Sequence, residues 1–149
     1  MKKILFIAFC AFILVGVTGC GEKNPITGEK FSELLQNYEY EVIDMKNMIA
    51  EDAAEVAKAA RKEETVIQFF ILPNVEKAEE LYTKYESEFM GKAGDVKPVK
   101  KSKANYEYYK IKIDGMYYVT SRIENTYIYI SCDESYADEV DTILKDLGY

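Results

Sequence analysis

The chain has 149 residues, 48% hydrophobic and 30% charged, which leaves room for one packed domain and excludes wholesale disorder. With 19 basic against 26 acidic residues its net charge is -7, which excludes a nucleic-acid binder of the usual basic kind. Histidine is absent, which excludes Ser-His-Asp and Cys-His nucleophile pairs and His-ligated zinc.

Lys2 and Lys3 precede an almost unbroken apolar run over residues 4–17. The run is shorter than the roughly 20 residues a membrane span needs, and its flanks predict a secretory signal over residues 1–19. It ends in Val17-Thr18-Gly19-Cys20, which resembles the bacterial lipobox: an aliphatic residue, two small ones, then cysteine. The resemblance implies diacylglycerol, with palmitate-type acyl chains, on the Cys20 sulfur and cleavage between Gly19 and Cys20. The mature protein is then expected at the cell membrane, lipid-anchored and facing the extracytoplasmic side. Two acyl chains suffice for stable anchoring. The alternative is an ordinary secretory signal with a chance cysteine. Cleavage takes the mature charge from -7 to -9, because the removed segment holds two lysines and no acid. Cys132 is then the one free thiol, no intramolecular disulfide can form, and a packed core must hold the domain.

Residues 20–26 are expected to be a short lipidated tether reaching at most ~20 Å. Thr27 suits the N-cap of a first helix, with Phe31, Leu34 and Leu35 at helical spacing. Residues 40–45 alternate as a strand. Residues 47–62 stay open between an alanine-favoured helix and one arm of a hairpin. Residues 65–72 are apolar on both faces and predict a central strand. Pro73-Asn74 caps a helix whose stripe is Ala78, Leu81, Tyr82, Tyr85 and Phe89, ended by Gly91. Residues 91–105 predict a lysine-rich loop with Lys92, Lys97, Lys100, Lys101 and Lys103. Strands are expected at about 106–113, 116–123 and 126–132, then a terminal helix from an N-cap at Ser135 to Gly148.

Asp114-Gly115 fits a two-residue hairpin, but that register sends Ile111 and Ile113 to the face opposite Val119, Ile128 and Ile130. A three-residue loop with a left-handed Gly115 pairs Ile111 with Tyr117 and Tyr109 with Val119, which gathers the aliphatic residues on one face. The three-residue loop is therefore expected, since a one-residue slip flips every side chain. The opposite face then carries Tyr108, Lys110, Tyr118, Arg122, Tyr127 and Tyr129. This is the candidate binding surface, suited to planar ligands, sugar rings or an anionic polymer through cation–π and charge contacts. The alternative is an ordinary solvent face stabilised by cross-strand pairs.

No catalytic residue is expected. Cys132 has no activating histidine and lies on the apolar face, where thiols are inert. The acidic clusters Glu51-Asp52, Glu79-Glu80 and Asp133-Glu134 lack calcium-loop spacing, so no metal site is expected. No phosphate-binding glycine loop follows a strand, so no cofactor is expected. The lysine loop suits diffuse attraction to an anionic leaflet or envelope polymer, or else is a solvated connection.

The run from Gly115-Met116-Tyr117-Tyr118-Val119-Thr120-Ser121-Arg122 through Asn125-Thr126-Tyr127-Ile128-Tyr129 to Leu147-Gly148-Tyr149, with the lipobox, resembles small lipoproteins of Gram-positive, clostridial type. That resemblance implies no activity, and it favours a hairpin over residues 55–72.

The expected architecture is α+β: an antiparallel sheet of about five to six strands, amphipathic helices on one face, and a C-terminal three-strand meander before a terminal helix. The expected organisation is a signal over 1–19, a tether over 20–26 and one domain over 27–149. The expected function is a membrane-anchored extracytoplasmic binding or interaction module, more readily than an enzyme. A carboxylate-dependent cell-envelope enzyme and an accessory subunit of a membrane complex are the alternatives. The expected partners are the membrane and an envelope polymer or membrane protein.

Overall fold

The computed structural model describes residues 21–149; the expected signal over 1–19 and the expected lipid attachment at Cys20 lie outside the described residues. The fold is α+β. Seven strands form one antiparallel sheet: β1 (Glu41–Asp44), β2 (Val56–Lys62), β3 (Thr65–Ile71), β4 (Val99–Ser102), β5 (Tyr106–Ile113), β6 (Met116–Ile123) and β7 (Thr126–Asp133). Their spatial order is β1-β2-β3-β7-β6-β5-β4. Among the described residues three α-helices accompany them: α1 (Gly28–Asn37), α2 (Val75–Ala93) and α3 (Ala137–Leu147). The antiparallel sheet and the meander followed by a terminal helix are as the sequence predicts.

Two helix starts follow from their caps. The Thr27 hydroxyl accepts from the Lys30 amide at 3.2 Å, and Asn74 Oδ1 accepts from the Lys77 amide at 2.9 Å. The third start differs from expectation. Asp133, not Ser135, supplies the capping oxygen, accepting from the Ser135 amide at 2.9 Å and opening a 3₁₀ turn (Glu134–Tyr136) before α3. α2 runs two residues beyond Gly91 and stops at Gly94, whose φ of 55° suits glycine.

The stretch left open by sequence is a hairpin arm over residues 56–62. Lys62↔Thr65 through Val56↔Ile71 pair in unbroken register. Helix propensity of the alanines is overridden because β3, apolar on both faces, is paired along both edges.

Three expectations are corrected. The sheet has a seventh strand, β4, inside the lysine-rich segment. All four of its residues are exposed, so no apolar alternation marks it, and its lysines suit an edge. The helices occupy both faces rather than one. α1 and α3 cover a core of Phe31, Leu35, Ile67, Val119, Ile130 and Val140. α2 covers the opposite face with Ala78, Tyr82 and Phe89 over Tyr109, Ile111 and Tyr127. Lastly, Asp114-Gly115 is a two-residue hairpin with Ile113↔Met116 and Ile111↔Tyr118 paired. Both central φ angles are positive, 51° and 78°, as a type I′ turn requires. The three-residue loop assumed one wet face. With α2 covering the second face, Ile111 and Ile113 are buried there instead.

No described helix is long and apolar enough to cross a membrane.

Candidate functional site

The register separates the six residues of the candidate surface. Arg122↔Tyr127 and Tyr118↔Ser131, with Tyr129 beside Thr120, put Tyr118, Arg122, Tyr127 and Tyr129 on the α2 face. Tyr108 and Lys110 lie on the opposite face, level with Ser121 and Val119. The expected single open surface is thus divided, and α2 covers its larger part.

Beneath α2 the aromatic side chains pile together. Tyr85 lies 4.8 Å from Tyr129 and 6.2 Å from Tyr127, and Phe89 lies 5.0 Å from Tyr118, centroid to centroid. Such pairs add to simple burial. The Tyr127 hydroxyl is 2.8 Å from Thr120 Oγ1, and burial pushes its phenol well above the usual range. Burial also pushes Tyr129 up to about 12. Neither phenol ionises near neutrality, so these rings act as packing.

Arg122 is 4% exposed. Its Nε donates to Glu107 Oε2 at 2.8 Å and its Nη2 lies 2.9 Å from Glu79 Oε1. Its Nη1, and the nearby Tyr82 and Tyr109 hydroxyls, have no protein partner. Burial, then the Glu86 and Glu107 charges, holds the Tyr82 phenol protonated. The buried pair with Glu107 ties β6 to β5, and the half-exposed Glu79 extends it to α2.

α2 crosses β7, β6 and β5 but leaves the β3 side of its face open. There a cleft of about 440 Å³ lies between the first half of α2, β3 and the loop over residues 45–55. Phe70, Leu72 and Tyr127 form its floor, and Ile49, Leu81 and Tyr85 its walls. Gln68, Lys77, Glu80 and Lys84 supply the polar rim. Lys77 is engaged by Glu80 at 2.7 Å, while Lys84 Nζ sits 5.4 Å from the Tyr85 ring centroid. The loop wall is held from within: the Lys46 ammonium donates to the Glu51 and Ala54 carbonyls. The Glu55 amide donates to the Ile71 carbonyl at 2.7 Å. Sequence reasoning missed this cleft because an irregular, motif-free loop builds one side of it. The aromatic Phe70, only partly buried on a strand otherwise read as fully buried, is its single trace.

The other singled-out residues have structural duties. Cys132 is fully buried in the α1–α3 core, and burial pushes its thiol up to about 11. It is the one cysteine among the described residues and is unpaired. Glu134 pairs with Lys112 at 3.3 Å. Among the described residues no group of three Cys, Asp or Glu side chains is placed to hold a metal ion.

No known protein family matches the chain, and no curated protein matches it in sequence. A crystal structure of a GTP binding regulator from Thermotoga maritima is similar to it with a TM-score of 0.49 at 13% identity, covering 83% of this chain and 85% of that one.

Proposed function

We propose that the protein is a lipid-anchored, extracytoplasmic binding module that takes an amphipathic ligand in the cleft between α2 and the 45–55 loop. The composition of the cleft carries this reading: an aromatic and aliphatic floor beneath a rim of Gln68, Lys77, Glu80 and Lys84. Such a site accepts an apolar group inside and meets a polar or anionic end at its mouth. Lys84, outside the Lys77–Glu80 pair, is the rim cation for that end. A carboxylate-dependent enzyme needs two convergent acids, and this rim offers Glu80 alone. The Val17-Thr18-Gly19-Cys20 sequence supports the anchor.

Anilinonaphthalene sulfonate, an apolar ring system with an anionic end, tests the cleft on the Cys20→Ser protein starting at residue 20. Saturable fluorescence is expected, and Ala53→Trp, which fills the cleft from its exposed loop wall, is expected to abolish it. Absent binding, or binding untouched by Ala53→Trp, refutes the cleft as the site. The anchor is tested separately: Cys20→Ala is expected to leave the membrane fraction after a high-salt wash, and its retention refutes lipidation.

A further inference from the structure

The face that carries α1 and α3 continues past β6 without a helix above it. There β5 presents Tyr106, Tyr108, Lys110 and Lys112, and the edge strand β4 adds Val99 and Lys101. The lysine ammonium groups lie over the tyrosine rings. Lys23 Nζ is 4.9 Å and Lys101 Nζ 5.5 Å from the Tyr106 ring centroid, and Lys110 Nζ is 5.4 Å from that of Tyr108. A hydrogen bond from Lys101, with the Lys23 and Lys103 charges behind it, holds the Tyr106 phenol below its usual range.

This surface runs against the charge of the chain, which is -7. Lys110 and Lys112 are answered by Asp141 and Glu134, at 2.7 and 3.3 Å. Lys23, Lys97, Lys101 and Lys103 meet no carboxylate among the described residues. Two apolar side chains stand among them, Val96 at 45% and Val99 at 60% exposure. Lysines flanking exposed valines match a membrane interface better than a soluble polyanion, which offers nothing for the valines.

The chain also enters the domain here. The Lys23 amide donates to Asn105 Oδ1 at 3.2 Å, and Asn105 Nδ2 donates back to the Lys23 carbonyl at 2.7 Å. The expected free tether is therefore shortened. Two residues, Gly21 and Glu22, separate Lys23 from Cys20, a reach of about 10 Å.

We propose that the β4–β5 surface bearing Lys23, Lys97, Lys101 and Lys103 docks on anionic phospholipid, with Val96 and Val99 entering the headgroup layer. Its orientation beside the anchor rests on the reading of Cys20 as the lipid attachment; its affinity for anionic headgroups does not.

The test uses the unlipidated Cys20→Ser protein and co-sedimentation with vesicles. Binding is expected to vesicles of equimolar phosphatidylglycerol and phosphatidylcholine, to fall with added salt, and to be at least about ten-fold weaker for pure phosphatidylcholine. Lys97→Glu/Lys101→Glu/Lys103→Glu is expected to lower partitioning roughly a hundred-fold. Lys30→Glu/Arg61→Glu, at exposed positions by the opposite, β1–β2 end of the sheet, is expected to leave it unchanged. These lysines are exposed, so the urea midpoint should hold; if the triple variant does not fold, Lys101→Gln alone should still weaken partitioning several-fold. Equal binding to both vesicle types, no binding, parental binding by a folded triple variant, or capture by polyglycerol phosphate without vesicle binding would each overturn the proposal. Cys20→Ala fractionation answers for the anchor, so the two readings fail independently.

Discussion

Arg122 and Glu107 stand directly opposite each other on β6 and β5, Nε to Oε2 at 2.8 Å, beneath α2. A guanidinium so placed needs its partner more than the partner needs it, because the charge cannot reach water. Glu107→Ala is expected to destabilise the fold by about 3 kcal/mol, the lower end for a broken buried pair. Glu79→Ala, at a half-exposed partner, should cost under about 1 kcal/mol. Urea denaturation reads both. Combining Glu107→Leu with Arg122→Met should recover most of the loss, since the unpaired charge goes too.

The hairpin offers a second measurement. Gly115 has φ 78° and open space around it. Gly115→Ala therefore tests backbone strain alone and should cost roughly 1 kcal/mol. A neutral result would be incompatible with the left-handed conformation at this position.

Lys46 should govern the cleft. Its ammonium ties the Glu51 and Ala54 carbonyls together. Lys46→Met is expected to lower stability by about 1.5 kcal/mol, to speed amide exchange over residues 47–54, and to weaken probe binding. Unchanged exchange would show that the loop is held by other contacts.

Stability should fail on the alkaline side. Burial pushes Cys132 up to about 11 and Tyr129 up to about 12. Folded, each holds its proton more tightly than when unfolded. The stability tied to them is complete below the unfolded values, ~8.5 and ~10, and is lost as pH rises through the folded ones. The urea midpoint should hold near neutrality and fall between about pH 9 and 12. At about pH 8 Cys132 should resist Ellman's reagent until urea unfolds the chain.

Local features were legible where one residue's chemistry decides them. Thr27 and Asn74 carry the oxygens that start α1 and α2, and the residues 78–89 stripe shows which side of α2 is buried. What that stripe would cover was not legible. Tyr118, Tyr127 and Tyr129 suit a wet sheet face as well as an aromatic core. The misjudged register also hid the ion pair: the two-residue turn sets Glu107 across from Arg122, whereas one extra loop residue shifts them apart. β4 escaped notice because Val99, Lys100, Lys101 and Ser102 are all exposed, so only the hydrogen bonds of β5 define it. The cleft depends on where a loop with no periodicity comes to rest.

The central pairing of β3 with β7 joins segments far apart in sequence, Val66 to Ser131 and Ile71 to Thr126. Until β7 is present, the hairpin of β2 and β3 ends in a bare edge carrying Ile67, Phe69 and Phe70, and β6 lacks a neighbour on that side. Closure of such a long loop makes this seam a slow, late event in folding. A chain released from its N-terminus onwards cannot complete its sheet before residue 133 is free. The same delay leaves a sticky strand unguarded for the longest time, and makes β7 the segment whose truncation most favours aggregation.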